Sequence, residues 1–184
     1  MKITIWRPFM LKMFTTQMTG LFKKIQDKED LSIEDGARLL AQALIGDGHI
    51  FIFAENELSA VQAEAIQSKE PLHRARVLEG LAQIDQVTVA DRVLILARTT
   101  HDDRAVAVGK ALEEKGIPFV SVATVDEGDG DALNDLSHVH INLQLKKGLL
   151  PDEEGNRYGY PASMAALYVY YGLKFTIDEI MEEY

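Results

Sequence analysis

From residue 9 to residue 26 the apolar positions recur at steps of three and four. Leu11, Phe14, Met18, Leu21 and Ile25 form one stripe, and Lys12, Gln17, Lys23 and Lys24 fall on other faces. That spacing predicts an amphipathic helix. A second helix is signposted downstream. Ser32 and Asp35 make an S-x-x-D start resembling a capping box, and Leu39, Leu40, Ala43 and Leu44 line one side. Gly46 is placed to close it as a left-handed cap. Together the two predict a helical hairpin over 9–46.

The period then changes. Residues 49–53, 92–97, 118–123 and 139–143 are short, almost wholly apolar runs, and a weaker one surrounds Arg76-Val77-Leu78. Such runs suit strands covered on both faces, as in a parallel sheet. Helical segments separate them at about 58–70 and at 103–115, where Gly116 ends the pattern. A last helix is expected over 161–182, beginning at Pro161 and open to a break at Gly172. Residues 126–135 and 146–159 read as the least ordered stretches. The alternation predicts an α/β fold: a three-layer sandwich with a flavodoxin-like parallel sheet over 49–145, flanked by N- and C-terminal helices, in one domain spanning 1–184.

Composition narrows the function classes. The chain has 29 Asp and Glu against 19 Lys and Arg, a formal net charge of −10. That balance argues against a nucleic-acid binder and against a partner of anionic membrane surfaces. There is no cysteine, so thiolate chemistry and cysteine-ligated metals are excluded. No apolar window is long enough to span a bilayer. Arg7, Pro8 and Lys12 interrupt any signal-type apolar core, and a cytoplasmic protein is expected.

In a doubly wound sheet, ligands bind outside the carboxyl ends of the strands, where the strand order reverses. Two strand-to-helix junctions therefore carry the candidate chemistry. One holds Glu55, Asn56, Glu57, Leu58 and Ser59; the other holds Arg98, Thr99, Thr100, His101, Asp102 and Asp103. Helix N-termini bind anions, and Ser59, Thr99 and Thr100 add hydroxyl donors. The same residue types are also ordinary helix caps. Glu55 and Glu57 would repel a phosphate, an effect Arg98, Arg104 and the basic cluster His73-Arg74-Ala75-Arg76 would offset. His101 is a candidate proton-transfer group or a solvent-facing ion partner of its neighbouring Asp residues. His138 and His140 share one strand face, but two imidazoles without a third ligand make a weak zinc site. Residues 126–131 fail the calcium-loop pattern. No metal and no cofactor is called for.

The run Ile50-Phe51-Ile52-Phe53 through Ser59-Ala60-Val61-Gln62-Ala63 is similar to a strand–G-N-G-G-S–x-x-x-A element. The stretch from Val93 through Thr99 to Gly116 is similar to a strand–S-x-S-G-x-S element with its following helix. On these two elements, and on the order of parts over about 10–182, the chain resembles the SIS (sugar isomerase) domain family, in particular phosphoheptose isomerases and their uncharacterised bacterial relatives. The resemblance implies a sugar-phosphate ligand held by Asn56, Ser59, Arg98, Thr99 and Thr100. It also implies an aldose–ketose isomerisation with Glu64 or Glu70 as base. The chain departs from the pattern where the family has glycines in the first loop and a histidine in the C-terminal helix, which here offers only tyrosines. Three readings follow: a phosphosugar isomerase of phosphoheptose isomerase type, a sugar-phosphate sensor without catalysis, and a dimeric scaffold. The apolar face of residues 10–25, with the pairing of subunits that the resemblance implies, leads to the expectation of a homodimer.

Overall fold

The computed structural model describes residues 7–184, so the N-terminal stretch in which no signal-type core was read lies partly outside the described residues. The chain opens with α1 (Arg7–Ile45), a single helix of 39 residues and roughly 58 Å at 1.5 Å per residue. The expected hairpin is therefore one rod. Ser32 and Asp35 lie within it, because the buried face continues unbroken through Ile25, Glu29, Gly36, Ala37, Leu40 and Leu44. Gly46 is not left-handed. The end of α1 is closed instead by the Gly46 and Gly48 N–H groups, which donate to the Gln42 and Ala43 carbonyls.

Strand β1 (Ile50–Ala54) follows, then a 3-10 turn (Asn56–Ser59) and α2 (Ala60–Gln67). Next come β2 (Ala75–Val77), a second 3-10 turn (Leu81–Gln86), β3 (Arg92–Thr99), α3 (Asp103–Glu114) and β4 (Phe119–Thr124). The chain continues through α4 (Leu133–Leu136) and β5 (Val139–Asn142). A small antiparallel hairpin of β6 (Leu150–Pro151) and β7 (Arg157–Tyr158) precedes α5 (Ala162–Glu182). The five-stranded sheet is wholly parallel, with strand order β2-β1-β3-β4-β5.

The period-two alternation of the strands divides the core. Ile50, Ile52, Leu94, Leu96, Val120 and Val122 face one layer with α1, α2 and α5. Phe51, Phe53, Val93, Ile95, Phe119 and Ala123 face the other with α3 and α4. The helix after β1 thus packs on one face and the helix after β3 on the opposite face, which puts the switch point between these two neighbours. α5 runs unbroken through Gly172, where a Cβ would come 3.2 Å from Ile33 Cγ2. The glycine there brings α5 close to α1. Phe22 and Tyr168 stack at the same contact with centroids 4.5 Å apart. Met18, Leu21 and Ile25 are buried within the chain, so most of the stripe offered as a partner-facing surface is core.

Candidate functional site

β1 and β3 pair in register from Ile50–Arg92 to Ala54–Leu96, and the Glu55 N–H extends the ladder to the Leu96 carbonyl. The chain then turns at Asn56, whose φ is 51°. That left-handed conformation favours glycine, and asparagine is among the residues that tolerate it best. Asn56 therefore makes the turn, between a buried Glu55 and a half-buried Glu57. Ser59 is exposed, and its hydroxyl donates to the Asn56 carbonyl at 2.8 Å. Glu55 is 6% exposed, with Arg104 Nη1 3.2 Å from its carboxylate. Burial raises its pKa, Arg104 opposes that rise, and Asp102 adds to it.

On β3 the register with β4 slips between Leu96 and Thr99. This irregularity turns Arg98 outward from an otherwise buried strand. Arg98 then meets Glu57 across the switch point in a two-pronged pair: Nε lies 2.8 Å from Oε1 and Nη2 lies 2.5 Å from Oε2. The hydrogen bonds from Arg98 hold the Glu57 carboxyl below its usual pKa. The two junctions face each other, and the chain's own ion pair bridges them.

The hydroxyl-rich turn is also internally engaged. Thr100 is fully buried, and its hydroxyl donates to Asp126 Oδ1 at 2.8 Å. His101 Nδ1 lies 2.9 Å from the same oxygen. Burial pushes the Asp126 carboxyl up, but its donors, His101 and Thr100 foremost, outweigh it and hold it below the usual range. An ionised carboxylate only accepts, so His101 donates from Nδ1 and its Nε2 is not engaged by Asp126. Gly128 packs on the imidazole so closely that a Cβ would fall 2.7 Å from His101 Cγ. Asp102 caps α3 by accepting from the Ala105 N–H at 3.1 Å.

Thr100 and His101 thus hold an anion, but it is the chain's own Asp126. Thr100, expected to hold phosphate, has no exposed surface with which to do so. Arg98 and Asn56 are exposed at the carboxyl ends of β3 and β1. Tyr160 joins them: its charge environment includes Arg98, Glu57 and Asp126, and its hydroxyl donates to the Leu145 carbonyl at 2.7 Å. Burial raises its pKa, against a hydrogen bond from Thr124 and the charge of Arg98.

The two candidate bases lie elsewhere. Glu64, one turn into α2, accepts from the Tyr171 hydroxyl of α5 at 2.5 Å. Glu70 lies beyond the end of α2, which leads away from the carboxyl edge over eight residues, about 12 Å of helix. The basic cluster is not at the crevice either. Arg74 donates to the Gly46 carbonyl and precedes β2 at the amino edge of the sheet. His140 Nδ1 lies 2.8 Å from Ser121 Oγ inside the α3 layer, and His138 packs edge-on to Phe119. Among the described residues no group of three His, Asp or Glu is placed to hold a metal ion. Asp126 and Tyr160 were missed from sequence because each reaches the crevice only through the fold. The one local hint was the position of Tyr160 just before the start of α5.

This fold is shared with phosphosugar proteins of the SIS class. The E. coli CFT073 protein c3406, in complex with a sugar phosphate, superposes with a TM-score of 0.67 at 11% identity, covering 94% of this chain and 90% of that one. A phosphoheptose isomerase from Francisella tularensis gives 0.62 at 12% identity, covering 95% and 98%. Residues 10–181 match the family described as a domain of unknown function, DUF2529, and the chain belongs to that family. It is also 46% identical over 175 residues to the uncharacterized protein YwjG of Bacillus subtilis (strain 168), covering 95% of this chain and 99% of that protein.

Proposed function

We propose that this protein binds a sugar phosphate in the crevice between the β1 and β3 junctions, as a cytoplasmic sensor without isomerase activity. The observation that carries this reading is Arg98, a two-pronged cation turned out at the switch point beside Asn56 and Tyr160. A guanidinium presents the planar fork that phosphate oxygens match. Likeness of fold to phosphosugar proteins supports the same ligand class. The absence of catalysis is favoured by the placement of Glu64 on Tyr171 and of Glu70 past α2.

An isomerase of phosphoheptose type is the second reading, and one observation favours it. His101 is fixed through Nδ1 by Asp126, which leaves Nε2 for the proton transfer that an enediol mechanism requires. In either reading the working unit is a homodimer, paired through the outer face of α1 and α5.

The test is a thermal melt run beside an interconversion assay with sedoheptulose 7-phosphate and other ketose phosphates. Ligand at one hundred times its Kd stabilises by about 2.7 kcal/mol. A melting shift without turnover is expected. Turnover abolished by His101→Asn moves the conclusion to the isomerase, and no response from any sugar phosphate overturns both readings.

A further inference from the structure

Among the described residues, both guanidinium groups at these junctions already have a carboxylate of their own, Arg104 with Glu55 and Arg98 with Glu57, and the His101 imidazole is hydrogen-bonded to Asp126. These pairs are not equivalent. Glu55 is buried, and Asp126 is held by the Thr100 hydroxyl and the His101 imidazole. Glu57 is held by Arg98 alone, and its pair is the open one, with the Arg98 side chain 50% and the Glu57 side chain 34% exposed. The turn beneath it is anchored by Leu58, which is fully buried, so the Glu57 side chain can swing away while the backbone stays in place.

We infer that Glu57 is an internal stand-in for the ligand's phosphate, occupying the Arg98 fork until a dianion displaces it, and that this exchange sets the crevice's specificity. The inference rests on the sugar-phosphate reading above. An exposed ion pair is weak, so opening it costs little. What replaces Glu57 must still bind Arg98 better than Glu57 does. A neutral sugar brings no charge and leaves the pair closed. A sugar acid brings one carboxylate, the same group with the same charge, and gains nothing by the exchange. A phosphate monoester brings close to two charges and three acceptor oxygens, and it alone gains. The other charged or ionisable groups that face Arg98 are Asp102 and Tyr160. Neither is hydrogen-bonded to its guanidinium, so Glu57 is the competitor.

The experiment is calorimetric titration of the wild-type chain, Glu57→Gln and Arg98→Gln with sedoheptulose 7-phosphate, inorganic phosphate, free sedoheptulose and gluconate, with melting curves to check that each variant folds. The wild-type chain is expected to bind the two phosphates and neither of the other probes. Glu57→Gln is expected to bind the phosphates about two- to fivefold more tightly, the range an exposed pair supports, and to gain affinity for gluconate. Arg98→Gln is expected to bind none. If Arg98→Gln abolishes binding but Glu57→Gln binds like the wild type or more weakly, the exchange is overturned while the phosphate site stands. If neither the wild-type chain nor Glu57→Gln takes up either phosphate, the site and the exchange fall together.

Discussion

His140 sits on β5 with Nδ1 2.8 Å from the Ser121 hydroxyl, which donates to Ser137 Oγ. Its Nε2 is buried without a partner. Burial lowers its pKa from 6.5 to about 4. The unfolded chain therefore takes up a proton on this imidazole at a pH where the folded chain does not. The folded state is unpenalised above the unfolded value of 6.5 and loses stability as the pH falls from there to about 4. The shift amounts to at most about 3 kcal/mol. Denaturant melts between pH 7 and pH 4 should show this loss, and His140→Asn should flatten it. Asp126 and Glu57 act in the same sense but in a lower window, because both carboxyls are held below the ordinary carboxylate range. Their stabilisation is present above it and disappears only as the pH falls below about 4, so the two windows are separable.

At the scale of elements, the continuity of α1 depends on a charged residue on its buried face. Glu29 is 8% exposed, and its carboxylate accepts from the Asn142 N–H at 3.2 Å and the Gln144 side-chain amide at 2.7 Å. It ties the middle of the helix to the carboxyl end of β5. Glu29→Ala is expected to cost about 1–3 kcal/mol, because it strands a buried N–H. Amide exchange should rise at 142–145 and leave the centre of β3 unchanged. This tie also explains what sequence could and could not reveal. The five strands of the parallel sheet, α3 and α5 were legible because their apolar runs and caps are local, whereas β6 and β7 fall in 146–159, a stretch read as among the least ordered. The length of α1 was not, because Ser32 and Asp35 imitate a helix start while Glu29, a polar residue on the core face, breaks the visible stripe. At the crevice, Arg98, Asn56 and the facing of the two junctions were legible from the strand-to-helix order. The engagement of Thr100 by Asp126, 26 residues further on, was not, since it comes from neighbouring parallel strands ending side by side.

For the whole molecule, a concavity of about 920 Å³ runs between α1 and α5, and Ile33, Tyr168, Tyr171 and Phe175 contribute to its wall. Phe175 is 58% exposed there. If this face pairs two copies, light scattering should give a dimer mass for the wild-type chain and a monomer mass for Phe175→Asp. The melting midpoint of the separated monomer should differ little from that of a monomeric control, because exposed substitutions seldom exceed about 0.5 kcal/mol. The sheet itself is closed to such joining. Its borders are β2 with three residues and β5 with four, too abbreviated to template another strand, and Arg76 marks the first of them with a charge. Any larger assembly this chain enters is built helix against helix, and the β-layers of neighbouring copies stay separate instead of fusing into one continuous ribbon.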